Sequence, residues 1–352
     1  MVAKKEETQI MKKTAVIILN WNGQKLLEQF LPTVLQHTLN EETEVVLADN
    51  GSTDNSVAYM QSAFPNVKLI AFSENHGFAE GYNRAINQVD AEYVVLLNSD
   101  IETTENWLIP MIEYLDRNPD FAAVQPKILD YKRKTHFEYA GAAGGFIDRY
   151  GYPFCRGRIL ESVEEDSGQY DDVIPIFWAT GAALCIRKKE YEEAGGLDGR
   201  FFAHMEEIDL CWRLNARGKK IACVPQSAVY HVGGASLSME SPRKSYLNFR
   251  NNLLMLYKNL PSEKFLRVFS IRMFLDFLAM MHLVVQGKSG NAAAVARSHR
   301  DFHRMKPDFR KNRRENLQKS TGADISTRYD HSILWNYYLK GRKTYASIFK
   351  KR

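Results

Sequence analysis

The chain has 352 residues, 45% of them hydrophobic and 25% charged, an ordinary composition for a soluble globular protein of one or two domains. Its net charge of +5 conceals an asymmetry, because residues 241–352 carry a balance of +17 and residues 1–240 a balance of −12. The basic C-terminal part indicates an anionic partner. Since this part contains no recognisable nucleic-acid-binding module, we expect a membrane surface and no nucleic acid.

Four short apolar runs predict buried strands at residues 14–19, 44–48, 67–71 and 93–97. Helical stretches of about 10–15 residues separate the runs, and this alternation predicts an α/β fold with a mostly parallel, doubly wound sheet. A polar turn residue follows each strand, namely Asn20, Asp49, Asn75 and Asp100. Because such positions meet at one edge of a parallel sheet, we expect a binding cleft there.

The pattern is less regular in the second half. Residues 131–174 are glycine-rich and then acidic, which predicts a long irregular segment of the kind that is usually functional or mobile. Strands are expected at residues 182–186 and 221–225, and helices beyond residue 241. Residues 265–285 are strongly apolar but interrupted by charges, whereas a spanning helix needs roughly 20 mostly uncharged residues. We therefore expect this segment to pack in a core or dock at a membrane interface.

The cysteines and the N-terminus predict a cytoplasmic protein. The four cysteines lack CxxC spacing and lie mostly among apolar residues, so buried, reduced thiols are expected rather than disulfides or zinc. Residues 1–13 are charged and lack the apolar core of a signal peptide, so secretion is not expected. Peripheral attachment to the inner face of the cell membrane is a further expectation.

Carboxylates in two distant places indicate the chemistry. Asp100 directly follows a buried strand, and a second acidic cluster comes about a hundred residues later. This cluster and the histidine after it are Glu206, Glu207, Asp209 and His231. One carboxylate can hold a cation for a diphosphate, and another can activate a hydroxyl. Together they suggest a reaction of a sugar nucleotide.

Eight motifs, taken in order, resemble those of the inverting family 2 glycosyltransferases. They are residues 16–23, 49–54, 74–83, 96–100, 181–184, 195–198, 201–210 and 231–234. The branch that they resemble is the bacterial rhamnosyltransferase-like one. The resemblance implies a GT-A (Rossmann-like) fold, with a mixed, mostly parallel sheet flanked by helices and followed by a helical, basic C-terminal extension.

The implied activity is transfer of a sugar, with rhamnose as the candidate, to a glycan or lipid-linked acceptor in cell-surface polysaccharide synthesis. The implied donor is a dTDP- or UDP-sugar, and the implied cofactor is Mg²⁺ or Mn²⁺. A homodimer is a further expectation. The implied domains are an N-terminal tail (1–12), a catalytic domain (13–240) and the extension (241–352). Within the catalytic domain, residues 13–130 form the nucleotide-binding half and residues 131–240 the acceptor half.

The resemblance assigns the donor to the loops at the strand ends. The implied donor-binding residues are Asn20, Asp49, Gly51, Asn75, Gly77, Asn83, Asn98 and Ser99. Asp49 can accept the N3–H of a uracil or thymine ring, although an aspartate that caps a turn also explains its position. Asn75 and Asn83 are interpreted equally well as loop locks. Asp100 and His231 are the implied metal ligands, with Asn98 standing where the family's DxD element has its first aspartate.

For catalysis, the pair Glu206–Glu207 matches the Glu-Asp pair of the family, which implies that Glu207 is the general base. Asp209 belongs to the same cluster, but its spacing from Arg213 predicts an ion pair on a helix that holds the segment in place. Gly181 is an implied substrate contact. Trp178 can stack on a sugar or lie in the core, and stacking is the interpretation adopted here.

Two other classes of protein remain as alternatives. A sugar-phosphate nucleotidyltransferase would have a loop rich in glycine and arginine after the first strand, and residues 20–25 lack both arginine and repeated glycines. A non-catalytic carbohydrate-binding protein would not require Asp100 and Glu207 together.

Overall fold

The computed structural model describes residues 12–233 and 241–349. Residues 1–11 of the predicted N-terminal tail, and residue 234 of the last motif, lie outside this part. The strands are β1 (Lys12–Asn20), β2 (Thr43–Asp49), β3 (Lys68–Ala71), β4 (Ala91–Asn98), β5 (Ile101–Thr103), β6 (Phe121–Asp130), β7 (Gly145–Asp148), β8 (Pro153–Cys155), β9 (Arg158–Ile159), β10 (Ser162–Val163), β11 (Ile174–Ile176), β12 (Ala183–Arg187), β13 (Lys220–His231) and β14 (Arg328–Tyr329).

The helices are α1 (Gln24–Thr38), α2 (Ser56–Ala63), α3 (Gly77–Ile86), α4 (Ile109–Arg117), α5 (Lys188–Ala194), α6 (Glu206–Ala216), α7 (Pro242–Asn259), α8 (Ser262–Val285), α9 (Ser289–Met305), α10 (Arg310–Lys319) and α11 (Tyr345–Ile348). Short 3₁₀ turns lie at Gly199–Phe201 and Lys306–Phe309, and a π-helical turn lies at Trp335–Leu339.

The main sheet has the order β11-β13-β6-β12-β4-β1-β2-β3, and β5 pairs with β13 at one end. Strands β1 to β4 are parallel, and β6 and β13 are parallel to each other. Strand β12 runs antiparallel between β4 and β6. Six of the nine strands therefore point the same way, which confirms the predicted mixed, mostly parallel sheet flanked by helices.

Alternating side chains of the central strands build two cores, one on each face of this sheet. In β1, Ala15 and Ile17 belong to one core, and Val16 and Ile18 belong to the other. Successive side chains of a strand point to opposite faces, so a continuous apolar run requires cover on both. Helices α1, α2 and α4 cover one face, and α3, α5, α6 and α7 cover the other.

The segment 131–174 is more regular than its sequence predicts. It contains four short strands, β7 to β10, which join β14 in a second, five-stranded sheet. Each of these strands has only two to four residues, so no periodicity is visible in the sequence. The expectation of a long irregular segment thus holds for most of its residues, but the second sheet was not predicted. The expected buried, free cysteines are confirmed: Cys155, Cys185, Cys211 and Cys223.

A single helix, α8, spans the apolar stretch of the C-terminal part. By length and composition it could cross a membrane, and it is the one helix of this kind in residues 12–233 and 241–349. The charged residues Arg272 and Asp276, which interrupt the apolar sequence, lie four residues apart and pair at 3.1 Å on the buried face of the helix. The apolar residues on either side of them therefore belong to one continuous helix. Of its 24 residues, Phe265, Val268, Arg272 and Asp276 are buried. Of the two expected alternatives, packing in a core is therefore wrong for most of this helix, and docking at a membrane interface stays a prediction.

Candidate active site

The two predicted metal ligands are in contact at the edge of the main sheet. Asp100 lies in the turn between β4 and β5, and His231 ends β13. His231 Nε2 is 3.2 Å from Asp100 Oδ1, and Asn98 Nδ2 is 3.3 Å from the same ring nitrogen. The other ring nitrogen, Nδ1, is 3.5 Å from Glu138 Oε1. Ser99, half-buried, completes the turn.

Burial and charge act in opposite directions on this pair. Burial raises the pKa of Asp100, but the hydrogen bond and charge of His231 outweigh it, so that the net shift is downward. For His231, burial lowers the pKa, but Asp100 and Glu138 together raise it to about 10. The cleft thus holds an ionised carboxylate at neutral pH.

The donor atoms at this edge fit a divalent cation that is shared with a substrate. Mg²⁺ in proteins usually takes one or two carboxylates, several waters and the phosphates of a nucleotide. In the part of the chain that the structure describes, no group of three or more His, Cys, Asp or Glu residues is arranged to hold a metal. Asp100 therefore offers a carboxylate, His231 can add a ring nitrogen only after losing the proton that Asp100 and Glu138 favour, and a diphosphate has to supply the other ligands.

Asp49 is held in its turn by three hydrogen bonds. Its Oδ2 accepts from Asn20 Nδ2 at 2.9 Å and from the Ser52 hydroxyl at 2.6 Å, and its Oδ1 accepts from the Ser52 amide at 2.9 Å. The structure thus gives Asp49 the turn-capping role. Its Oδ2 already accepts two hydrogen bonds, so Oδ1 is the oxygen that keeps a further lone pair for a ligand. Asn20 is fully buried, and its Oδ1 has no hydrogen-bond partner.

The next loop is locked by asparagines and closely packed glycines. Asn75 Oδ1 accepts from the Gly77 amide at 2.8 Å and from Asn50 Nδ2 at 3.2 Å. Gly51 has φ +72°, and a Cβ on it would lie 2.5 Å from the backbone of Glu74. Gly77 has φ +79°, and a Cβ there would strike the Phe202 ring at 2.6 Å. Both positions therefore require glycine.

Asn83 is placed away from these loops. Its Oδ1 accepts from the Tyr191 hydroxyl at 2.6 Å and from the Leu197 amide at 3.0 Å, and its Nδ2 donates to the Leu197 carbonyl at 2.8 Å. All three bonds hold the turn that follows α5. Of the two interpretations of Asn83, the structure supports the loop lock.

Glu206 and Glu207 begin α6, after a backbone of unusual conformation. Phe202, His204 and Met205 have φ of +68°, +70° and +73°. A non-glycine residue at such a φ costs about 1–3 kcal/mol, and strain of this kind concentrates at functional sites. Burial raises the pKa of Glu207 to about 7, and burial together with the charge of Glu207 raises the pKa of Glu206 well above its ordinary value.

The turn at Gly181 and Ala182 lies between Glu207 and the end of β4, which Asp100 follows. A Cβ on Gly181 would lie 3.9 Å from the Cβ of Glu207, so the turn before β12 passes close to the start of α6. One residue further on, the Ala182 carbonyl accepts the Asn98 amide at 2.9 Å. A short stretch of backbone thus connects Glu207 to the end of β4 that bears Asp100.

Asp209 faces away from this turn, into a buried ionic network. Its carboxylate contacts Arg213 Nε at 3.0 Å, Lys258 Nζ at 2.7 Å and Asn259 Nδ2 at 2.8 Å. Lys258 also contacts Asp198 at 2.7 Å. Asp209 is fully buried and engaged on both oxygens, so it ties α6 to α7 as its spacing from Arg213 predicted.

Trp178 does not offer a ring face to a sugar. It is 3% exposed, its Nε1 donates to the Phe146 carbonyl at 2.8 Å, and the space beside Gly145 is filled by its ring. The predicted stacking position is corrected to a core position, because the glycine at 145 makes room for the indole below the surface.

Three residues of the site were not singled out from the sequence. Asn50 locks the loop before α3 through bonds to Asn75, His76 and Gly77. Glu138 sits behind His231, and Lys258 reaches Asp209 from a distant helix. Asn50 stood inside a quoted motif and could have been found there. The other two come from segments without a motif.

The fold, together with its polar strand ends, is that of a GT-A glycosyltransferase. The sequence model "Glycosyl transferase family 2" matches residues 15–159. The chain is 26% identical over 230 residues to the N-acetylglucosaminyl-diphospho-decaprenol L-rhamnosyltransferase of Mycobacterium tuberculosis, covering 61% of this chain and 75% of that protein. Residues 15–159 are thus similar to glycosyltransferase family 2, and the chain is similar to a rhamnosyltransferase, in agreement with the predicted resemblance.

Solved structures show the same fold at low identity. Staphylococcus aureus TarS 1-349 in complex with UDP-GlcNAc has a TM-score of 0.55 and 14% identity, over 87% of this chain and 89% of that one. The mannosyltransferase PcManGT of Pyrobaculum calidifontis in complex with GDP-Man and Mn²⁺ has a TM-score of 0.51 and 13% identity, over 88% and 85%. These neighbours support the GT-A fold of this glycosyltransferase.

Proposed function

We propose that this glycosyltransferase moves a sugar from a nucleoside diphosphate to a hydroxyl of a glycan or lipid-linked acceptor, with inversion and with a divalent cation. The carrying observation is the arrangement of Asp100 and Glu207 on either side of the 181–182 turn. Asp100 is ionised at neutral pH and can exchange its contact with His231 for a cation, and Glu207 has a pKa near neutrality. A direct displacement needs these two functions and no covalent intermediate.

In this mechanism, Glu207 removes the proton of the acceptor hydroxyl as the hydroxyl attacks the anomeric carbon from the face opposite the leaving group. Asp100 would hold Mg²⁺ or Mn²⁺, with His231 as a second ligand once it has lost its proton, and the cation would supply Lewis-acid stabilisation of the departing nucleoside diphosphate. Asn20, Asp49 and the loop containing Gly77 surround the nucleotide. The Mn²⁺ in the PcManGT complex and the nucleotide sugars in both neighbours support this assignment.

The donor is proposed to be dTDP-rhamnose, with UDP-hexoses next. The rhamnosyltransferase relative supports the sugar, and Asp49 supports a uracil or thymine ring.

We expect the protein to hydrolyse its donor slowly when no acceptor is present, and to do so only with Mg²⁺ or Mn²⁺. A panel of dTDP-, UDP- and GDP-sugars, followed by release of nucleoside diphosphate, tests this. Turnover of a GDP-sugar alone would contradict the donor, and no hydrolysis or binding at all would contradict the function.

We further propose that the protein lies on the cytoplasmic membrane face through α8. The apolar side chains on this helix that are 44–83% exposed are Leu266, Phe274, Phe277, Leu278, Met281, Val284 and Val285. The charged pair of the helix, Arg272 and Asp276, is buried on the other side. An apolar face on a basic C-terminal part fits an anionic bilayer, where each basic residue contributes about 1 kcal/mol.

The double variant Phe274→Ser/Phe277→Ser is expected to bind anionic vesicles at least about 10-fold more weakly, because two phenyl rings no longer enter the acyl layer. Co-sedimentation with vesicles at two salt concentrations measures this. Leu39→Ser/Ile109→Ser is the matched control, since these residues are 52% and 47% exposed on the catalytic body. Binding that ignores lipid charge and salt, or a lipid-free dimer that buries α8, would contradict the proposal.

A further inference from the structure

A cavity of about 460 Å³ lies between α7, α9 and the strained loop that precedes Glu206. Phe202 forms its inner wall, and Leu247 and Tyr246 add further apolar surface. The donor-binding and metal-binding residues of the sheet edge do not line it. Because Phe202 also packs against Gly77, a single side chain separates this cavity from the donor loop.

Three arginines line the cavity, namely Arg250, which is buried, and Arg243 and Arg297, which are exposed at its mouth. Arg243 lies 5.2 Å from the Phe202 ring, and Arg250 and Arg297 lie 5.2 and 4.9 Å from the Tyr246 ring. Arg250 is 8% exposed and donates to the Phe201 carbonyl at 3.0 Å. Among the described residues, no carboxylate lies within 4.0 Å of any of the three arginines.

Elsewhere in the C-terminal part, buried cations have acidic partners. Lys258 contacts two carboxylates, and Arg272 contacts Asp276. The cavity contains one acid, Asp301, which accepts the Tyr246 hydroxyl at 2.9 Å. Its lining therefore carries a net charge of +2, as three arginines and one aspartate. Gathering like charges in a partly enclosed space is unfavourable unless an anion neutralises them.

We propose that this arginine cavity binds the phosphate or diphosphate of a prenyl-linked acceptor, a proposal that rests on the proposed function. Guanidinium groups bind phosphate oxygens in pairs of parallel hydrogen bonds, and the Phe202–Leu247 wall can pack against the first prenyl carbons. The acceptor sugar would then extend past Phe202 towards Glu207. The cavity lies on the C-terminal part that also bears α8, so a lipid tail can reach the membrane from it.

The test is binding of farnesyl diphosphate to the full chain, with UDP binding measured in parallel. The double variant Arg243→Gln/Arg297→Gln is expected to bind farnesyl diphosphate at least about 10-fold more weakly and to bind UDP with unchanged affinity. Both side chains are exposed at the mouth of the cavity, so the variant should fold. Arg310→Gln/Arg314→Gln, on exposed positions of α10, removes the same charge outside the cavity and should change neither affinity.

Three other outcomes would overturn the assignment of a phosphate site to the arginine cavity. Competition between UDP and farnesyl diphosphate would place the phosphate in the donor site and overturn the proposal. If the double variant weakens farnesol binding as much as farnesyl diphosphate binding, the arginines contact the prenyl chain and the proposal is overturned. If the variant loses only its binding to anionic vesicles, the arginines contact lipid headgroups, and the proposal is again overturned. If UDP and nucleotide sugars fail to bind the parent protein, the proposed function fails, whatever the arginines do.

Discussion

Replacing Asp100 with alanine is expected to lower sugar transfer by at least about 10³-fold and to remove the dependence of nucleotide binding on metal. Asp100 lies just after the carboxyl end of β4 and contacts His231 Nε2 at 3.2 Å. A Lewis acid that stabilises a leaving diphosphate is worth several kcal/mol, and each 1.36 kcal/mol is a factor of ten in rate. Transfer rates and nucleoside diphosphate affinity, with and without Mn²⁺, measure the two effects.

The matched control is Glu102→Gln, two residues along the chain. Glu102 is on β5 and pairs with Lys134, so this change removes a nearby negative charge without touching the Asp100–His231 pair. It should leave both measurements unchanged. If Asp100→Ala keeps the parent's metal dependence while its melting temperature is preserved, the metal assignment is wrong.

The sequence was sufficient for the features that repeat along the chain. Buried runs ending in polar turns located β1 to β4 and the edge at which Asp49 and Asp100 lie, because a parallel sheet brings its carboxyl ends together. The pairing of Asp209 with Arg213 also followed from helical spacing, and the structure has it at 3.0 Å.

What the sequence could not provide depends on partners that are distant in the chain. Trp178 has the same local sequence whether it stacks on a sugar or fills the space beside Gly145, and only the fold decides. Lys258 lies 49 residues from Asp209 and has no motif of its own. The positive φ angles before α6 were also not predicted, since Phe202 and Met205 are residue types that rarely adopt them.

Exposure and pKa favour Glu207 over Glu206 as the proposed base. Glu206 is 3% exposed, and its pKa is raised well above its ordinary value by burial and by the charge of Glu207. Glu207 is half-buried beside Gly181, and burial raises its pKa to about 7. A base of this pKa is half ionised near neutrality and still holds a transferred proton well.

Glu207→Gln is therefore expected to lower kcat by at least about 10²-fold while donor affinity stays near that of the parent, because the amide keeps the size of the side chain but cannot accept the proton. In the parent, kcat should rise with pH through about 7 as Glu207 loses its proton, and Glu207→Gln should lose that rise.

Glu207→Asp should retain more activity than Glu207→Gln. The controls are Glu206→Gln and Asp209→Asn, each with its melting temperature measured, since Asp209 supports α7 through Lys258. An active Glu207→Gln beside an inactive, folded Glu206→Gln would move the base by one residue.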